Sequence, residues 1–224
     1  EQVFNHFAED PEQWVAILTG AGDRAFSAGN DLKYHASGSK RGTPETGFAG
    51  LTARFDCDKP IIAAVNGVAM GGGFEIALAC DLIIAADNAK FALPEPRVGL
   101  AALAGGLQRL PRQIGLKPAM GMILTGRHVD AEEGMSLGYV NAVVPQAELM
   151  AEARRWADLI LQCSPVSIRT SKNTVMHSLD QPELEGAIKD CMSLPSVKAL
   201  LKSADFEEGP AAFAEKRKPQ WQGK

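Results

Sequence analysis

The chain has 224 residues, of which 46% are hydrophobic and 22% charged, and it contains 22 glycines. This composition predicts one globular domain, or a domain with a helical appendage, and excludes a disordered or fibrous chain. The net charge of -4 gives no broad positive field, which argues against nucleic acid as the main partner. The widely spaced cysteines are interpreted as reduced, buried thiols: Cys57, Cys80, Cys163 and Cys191.

Targeting signals are missing from the chain as given. No apolar run approaches the roughly 20 residues that a membrane-spanning helix needs, and no charged segment followed by an apolar one opens the sequence. We therefore expect no membrane partner and a cytoplasmic protein, or a mitochondrial matrix protein in a eukaryote. Residues 1–7 are typical of the end of a helix, so an upstream segment is expected to be missing.

The first half of the chain alternates apolar runs with glycine-rich turns. A helix-like stretch over 74–80 follows a glycine run. Near-continuous apolar strands predict a sheet that is covered on both faces. The predicted strands are 14–19, 60–65, 82–86 and 90–93.

After residue 96 the pattern changes to helices. Asp130 and Glu133 form a capping pair for a short helix, and Pro195 and Pro210 are each expected to open a helix. The chain is thus predicted to be an α/β protein with a core over 1–163 and a helical oligomerisation region over 164–224. Further elements are predicted as helices over 105–114, 118–124 and 149–163 and a strand over 139–144.

Two glycine-containing turns in the first part of the chain are candidate binding sites. Residues 20–25 (GAGDRA) formally match a dinucleotide-binding fingerprint, but such a turn must open a helix, and turn-forming residues follow instead. Residues 25–32 (AFSAGNDL) have small residues around Gly29, which would let a ligand approach the backbone amides. A surface turn is the simpler interpretation of this second stretch alone.

A stronger signal lies in residues 66–80 (NGVAMGGGFEIALAC), where a glycine run joins a buried strand to a helix. Free amides at such a helix start point outward, with the positive end of the helix dipole behind them. They could hold a developing oxyanion. Glu75 lies in the first turn of this helix, where a purely structural role is equally plausible for a carboxylate taken alone.

Glu95 lies between two prolines that restrict its backbone. By itself it could be a surface residue, but one glutamate follows each of two consecutive strand elements, so Glu75 and Glu95 could converge on one pocket. Two close carboxyl groups cannot both ionise cheaply, which provides an acid and a base in one site. Asp81, by contrast, is expected to be a structural hydrogen-bonding residue.

Cations cluster near the end of the chain, where Lys216, Arg217 and Lys218 lie in the last turn of a predicted helix. They complement the helix dipole, or they contact a phosphate group. No HExxH, GxSxG or P-loop pattern is present, and the histidines lack partners at metal or triad spacing. No metal site is therefore expected.

Four segments together resemble the enoyl-CoA hydratase/isomerase, or crotonase, superfamily over nearly the whole chain: FSAGNDL, NGVAMGGGFEIALACDLIIAA, KFALPEPRVGL and EGPAAFAEKRKPQW. The resemblance implies a spiral of ββα turns with a helical C-terminal trimerisation region. It implies homotrimers that often pair into hexamers. It also implies an acyl-CoA thioester substrate that brings its own coenzyme A, with no separate cofactor.

The resemblance also implies residue roles. The backbone amides of Ala28 and Gly72 would form the oxyanion hole for the thioester carbonyl. Glu75 and Glu95 would bind one water, one of them taking its proton as it attacks Cβ while a proton is delivered to Cα. Lys216 matches a position that can touch the CoA phosphates. The full set of implied substrate contacts is Ala28, Gly29, Asn30, Asp31, Gly71, Gly72, Leu103 and Lys216.

Some positions depart from the hydratase pattern. Ala102 and Leu103 stand where hydratases commonly have proline and glycine, which would reshape the acyl end of the pocket. Phe74 and the terminal EGPxAFAEKR also resemble carnitinyl-CoA dehydratases, so a branched or charged acyl group is open. Reversible syn hydration of a 2-enoyl-CoA is the leading hypothesis. The alternatives are another dehydration or isomerisation, or a non-catalytic scaffold that binds acyl-CoA, protein or RNA.

Overall fold

The computed structural model describes residues 1–33, 37 and 42–224, and the described residues fold as a mixed α/β structure. Single-turn 3-10 helices cover Phe48–Gly50, Glu95–Val98 and Gln146–Glu148. The strands are β1 (Ala16–Thr19), β2 (Ala25–Ser27), β3 (Ile61–Val65), β4 (Val68–Met70), β5 (Leu82–Ala86), β6 (Lys90–Ala92), β7 (Val129–Asp130) and β8 (Ala142–Val144). The α-helices are α1 (Gln2–Glu9), α2 (Gly72–Ala79), α3 (Gly106–Ile114), α4 (Leu116–Thr125), α5 (Ala131–Leu137), α6 (Leu149–Leu161), α7 (Pro165–Leu179), α8 (Leu184–Cys191), α9 (Pro195–Leu200) and α10 (Ala204–Ala214).

The strands form two four-stranded sheets, with strand orders β1-β3-β5-β8 and β2-β4-β6-β7. From β1 to β6, successive strands alternate between the sheets, so that β3 and β5 pair in parallel in one sheet, and β4 and β6 pair in parallel in the other. This alternation agrees with the ββα turns that the family resemblance implied. All five residues of β3 are buried, as expected for a strand that is covered on both faces.

An aromatic cluster fixes the start of α2 against the second sheet. The ring of Phe74 lies 5.2 Å from that of Phe91 in β6 and 5.2 Å from that of Tyr139, in tilted geometry. All three residues are buried. Aromatic rings packed at this spacing contribute beyond their buried area, so the cluster holds the helix turn that carries Glu75 in one place.

The chain divides into two compact units. The first consists of Glu1–His6, Ile17–Phe55 and Ile61–Arg155, and it contains strands β2 to β8. The second consists of Phe7–Ala16, Asp56–Pro60 and Trp156–Lys224, and it contains helices α7 to α10. The division at residues 163 and 164 stays a prediction.

In the second unit, Asp205 anchors the C-terminal residues of the chain through hydrogen bonds. Its side chain accepts hydrogen bonds from the hydroxyl of Ser164, at 2.8 Å, and from the backbone N–H of Gln222, at 2.7 Å. Lys216 follows α10 with a left-handed backbone (φ 55°), which is uncommon for a residue with a side chain.

Within the part of the chain that the structure describes, no helix combines the length and apolar character needed to cross a bilayer. The cytoplasmic location stays a prediction.

Two predicted elements differ from the structure. The strand expected over 139–144 is only Ala142–Val144, because the backbone N–H groups of Tyr139 and Val140 bond back to the carbonyl of Gly134 and close α5. Pro210 does not open a helix but lies inside α10. That helix begins earlier because the hydroxyl of Ser203 accepts the N–H of Phe206 and caps it.

All four cysteines are free thiols, as predicted, but the predicted burial is wrong for two of them. Cys57 and Cys80 are buried thiols, as expected, but Cys163 is exposed and Cys191 is half-buried. Cys163 comes just after α6 ends at Leu161, so the helical face that should bury it does not continue that far. The structural role expected for Asp81 is confirmed, because its carboxylate accepts the N–H of Ile61 at 2.8 Å and fixes the start of β3.

Candidate active site

A pocket of about 250 Å³ lies in the first unit, at the N-terminal end of α2. Its wall comes from the segment after β2, the 3-10 helix Phe48–Gly50, the start of α2 and the loop after β6. Seven of the site residues predicted from the sequence line it together: Ala28, Asn30, Gly71, Gly72, Glu75, Glu95 and Leu103.

Three further predicted site residues lie elsewhere. Gly29 stands behind the wall, where a Cβ atom added to it would come within 2.8 Å of the backbone nitrogen of Gly72. Asp31 is exposed, and its carboxylate accepts the N–H of Lys33 at 2.9 Å. Lys216 belongs to the second unit.

The glycine run is required by the geometry of the strand-to-helix turn. Gly71 has a positive φ of 53°, and a Cβ atom there would lie 2.9 Å from Oε1 of Glu95. A Cβ atom on Gly73 would overlap the carbonyl oxygen of Ser27. The turn can therefore pass this close to β2 and to Glu95 only without side chains.

Two backbone amides near this turn, those of Ala28 and Gly72, have no hydrogen-bond acceptor in their own secondary-structure element. Gly72 is the first residue of α2, so its N–H has no acceptor within the helix. The N–H of Ala28, which follows β2, has no protein acceptor among residues 1–33, 37 and 42–224. A Cβ atom built on Gly29 would lie 2.8 Å from the backbone nitrogen of Gly72, so the segment that follows Ala28 passes close to the start of α2.

Glu75 is held from the opposite side by the start of α3. Its side chain is only 3% exposed, and Oε1 accepts the backbone N–H of Gly106 at 2.9 Å. Burial raises the pKa of Glu75, and the charge of Glu95 raises it further, whereas the N–H groups of Gly106 and Ala104 and the charge of Arg109 lower it. The net effect is a raised pKa.

The carboxyl group of Glu95 is less well hydrogen-bonded than that of Glu75. It opens the 3-10 helix Glu95–Val98 after Pro94, and its Oε2 is buried without a hydrogen-bond partner in the described chain. Burial raises the pKa of Glu95, with a backbone hydrogen bond opposing the shift. An unpaired buried carboxyl oxygen favours the protonated acid or a bound water.

Several residues around the site were missed in the sequence, and three of them, Phe48, Gly106 and Arg109, bear on its chemistry. Phe48 lines the pocket, and a Cβ atom added to Gly72 would lie 2.6 Å from Cε1 of its ring. Gly106 binds Glu75, and Arg109 acts on it electrostatically. The glycine pair Gly105 and Gly106 at a helix start was a visible signal for that contact, but nothing near Phe48 points to a pocket wall. Across the described residues, no group of three or more potential metal ligands occurs.

Comparison with known proteins agrees with this geometry. The sequence model of the enoyl-CoA hydratase/isomerase family matches residues 1–224. A carnitinyl-CoA dehydratase from Escherichia coli (strain SMS-3-5 / SECEC) is 46% identical over 230 residues, covering 100% of this chain and 87% of the relative. The chain belongs to the enoyl-CoA hydratase/isomerase family.

Solved structures place this family member in the crotonase fold. An enoyl-CoA hydratase from Mycobacterium tuberculosis H37Rv superposes with a TM-score of 0.92 at 37% identity, covering 100% of this chain and 86% of that chain. A carnitinyl-CoA hydratase from Mycobacterium avium gives a TM-score of 0.75 at 40% identity with the same coverage. The predicted family and the predicted crotonase-like α/β fold are both confirmed, and the chain is an enzyme of the crotonase superfamily.

Proposed function

We propose that this crotonase-superfamily enzyme is a hydro-lyase that reversibly adds water across the Cα=Cβ bond of a 2-enoyl-CoA thioester. The observation that supports this most is the presence of two carboxyl groups with raised pKa values, Glu75 and Glu95, in one pocket. The pocket also contains Ala28 and Gly72, whose amides suit a thioester oxygen. An acid, a base and an oxyanion site are the groups that this reaction needs.

The contacts of the two glutamates favour a different role in proton transfer for each. Glu75 accepts an N–H and lies near a cation, so it is the better carboxylate and takes a proton from the bound water. The oxygen of that water forms a bond to Cβ, and the electron pair of the double bond moves to the enolate held by the amides. Glu95 then gives its proton to Cα. Proton exchange with solvent returns both glutamates to their starting states, and dehydration runs the same steps backward.

A second candidate is dehydration of an acyl group that carries a cation. Two kinds of observation favour it. Relatives 46% identical to this chain are named carnitinyl-CoA dehydratase, and a carnitinyl group carries a quaternary ammonium. The described wall of the pocket has the Phe48 ring and two glutamates but no lysine, arginine or histidine. Aromatic faces and carboxylates both attract such a cation.

One substrate panel tests both candidates. It contains crotonyl-CoA, a long-chain and a branched 2-enoyl-CoA, 3-hydroxybutyryl-CoA and carnitinyl-CoA. We expect enoyl-thioester absorbance to change in the direction of equilibrium, with one solvent deuterium incorporated at Cα. A kcat/KM for carnitinyl-CoA well above that for 3-hydroxybutyryl-CoA would select the second candidate. CoA-thioester binding without turnover of any member would contradict both and favour a scaffold.

Self-assembly into a homotrimer or a dimer of trimers, with Lys216 near the CoA phosphates, belongs to the same proposal. Support comes from apolar side chains that the second unit leaves open to solvent. On α7, Val175 and Leu179 are 56% and 63% exposed, and on α8 Ile188 is 65% exposed. Apolar surface of this kind on a soluble chain typically marks a protein contact.

A further inference from the structure

A buried carboxylate that must stay ionised needs positive charge nearby, and the pocket wall does not supply it. No cationic side chain is among the described residues that line the pocket. Helix α3 lies behind this wall and supplies the N–H of Gly106 to Glu75. Arg109 is on the same helix three residues further on, and residues at this spacing share a helix face.

The guanidinium of Arg109 folds back toward the start of α3. A Cβ atom built on Gly105 would overlap its Nη1, so the cation lies directly against the residue that precedes Gly106. A Cβ atom built on Gly106 would in turn lie 3.1 Å from both Cγ and Oε1 of Glu75. The cation and the carboxylate therefore occupy the same end of one helix, separated by the glycine pair.

The surroundings keep the guanidinium in this place. Its Cζ lies 5.9 Å from the centre of the Phe55 ring, a cation–π contact. Gly105 has a positive φ of 102°, so a side chain there would be strained as well as too close to Arg109. The glycine pair thus has two separate tasks: Gly105 makes room for the cation, and Gly106 makes room for the carboxylate.

The charged groups around Glu75 are few in the described chain. Helix α2 packs against α3, β2, β4 and the 3-10 helix Phe48–Gly50, and among these elements only α3 carries charged side chains, Arg109 and Arg112. Among the charged side chains, Glu95 raises the pKa of Glu75 and Arg109 lowers it, with Arg109 the weaker of the two influences. Burial lowers the pKa of Arg109, while Cys80 and Glu75 raise it, and a guanidinium stays protonated at any working pH.

We propose that Arg109 is a positioning residue that keeps the Glu75 carboxylate ionised and fixed against the start of α3. This role rests on the proposed function, because it concerns the base of the same pocket. In this role Arg109 does not touch the substrate and acts only through Glu75. It also explains why the segment LAGGLQR combines a glycine pair with an arginine.

The test compares Arg109→Met with Arg109→Lys, which keeps the charge, and with Arg112→Met as a matched control. Arg112 lies on the same helix, and its guanidinium bonds the carbonyl of Gln108 at an exposed site. We expect the acid limb of the kcat/KM profile to move to higher pH in Arg109→Met. Its deficit relative to the wild type should be larger at pH 6 than at pH 8. The Lys variant should recover part of the loss, and the control should match the wild type.

A second measurement does not depend on turnover. Infrared difference titration follows the carboxyl band that Glu75→Gln removes, and we expect this band to titrate at higher pH in Arg109→Met than in the wild type. If no acyl-CoA is turned over, the proposed function fails while the titration still decides the role of Arg109. An unchanged Glu75 titration, or an equal activity loss at every pH, would overturn the proposal. If the Met variant does not fold, Arg109→Gln takes its place in the same comparison.

Discussion

Glu75 and Glu95 line the same pocket but are held by different kinds of structure. Glu75 lies in a helix, almost fully buried, accepts a backbone N–H at 2.9 Å, and has its pKa lowered by the charge of Arg109. Glu95 sits in a single-turn helix after a proline, and its Oε2 is buried without a described partner. The two carboxyl groups thus have different surroundings, which in the proposed mechanism suit Glu75 to act as the base and Glu95 as the acid.

The largest expected effect comes from removing either carboxylate. Glu75→Gln and Glu95→Gln keep the shape of the side chain but can no longer exchange a proton. Each should lower kcat about 10²- to 10⁴-fold, the range typical of a lost general acid or base. Initial rates with the best substrate of the panel, followed by enoyl-thioester absorbance, measure the loss.

Both variants must be shown to be folded, by circular dichroism and by an intact thermal transition. The two variants should also differ in the hydrogen bonds that they disturb. Glu75→Gln disturbs the contact with Gly106 from another helix, whereas Glu95→Gln alters a side chain that bonds a backbone N–H at its own residue and has an unpaired Oε2 in the described chain. Wild-type activity in either variant would mean that the two-carboxylate mechanism is wrong.

The parts of the fold that could be predicted are those fixed by local pattern. Strand β5 was predicted with its correct ends, Leu82–Ala86, because an apolar run is bounded by Asp81 and by a turn at residues 87 and 88. The cap of α5 was also predicted, since Asp130 accepts the N–H of Glu133 three residues on. The meeting of Glu75 and Glu95 followed from their places after successive strands.

The supports of the two carboxylates could not be predicted, because they depend on contacts between distant parts of the chain. Gly106 is 31 residues from Glu75, and no local pattern indicates that its N–H faces that side chain. Phe48 reaches the wall from a segment without a strand or helix signal. The local pattern was also misleading at Pro210. This proline was predicted to open a helix, but the helix begins earlier, after the cap formed by Ser203.

A smaller effect is expected in the pH dependence of stability. Burial raises the pKa of Glu95 in the folded protein above its ordinary value of 4.5. The folded state therefore binds more protons than the unfolded state between 4.5 and the raised pKa, and the free energy of unfolding falls as pH rises through this window. Glu95→Gln removes this fall, so the variant should gain stability relative to the wild type as pH increases.

Urea unfolding of both proteins across this pH range measures the difference. The gain should be small, because Glu95 is only partly buried and solvent screens its charge. It should also shrink as pH falls below 4.5, where the carboxyl group is protonated in both states. A variant that is less stable than the wild type at neutral pH would show that Glu95 is stabilised as a carboxylate, which would reverse the contrast with Glu75.

The smallest expected effect comes from Tyr139. Its hydroxyl, like Oε2 of Glu95, is buried without a hydrogen-bond partner in the chain as described, but it has no proposed role in catalysis. It lies in the aromatic cluster, not in the pocket wall, and burial strongly raises its pKa. Tyr139→Phe keeps the ring packed on Phe74 and removes the unpaired group.

We expect Tyr139→Phe to change the free energy of unfolding by no more than about 1 kcal/mol, toward neutral or higher stability, because an unsatisfied polar group costs energy when buried. Its kcat should equal that of the wild type. Denaturant unfolding and the same absorbance assay measure both. A clear loss of stability would show that the hydroxyl has a bound water as its partner. The same result would call for a test of whether Oε2 of Glu95 also binds a water before a catalytic role is assigned to it.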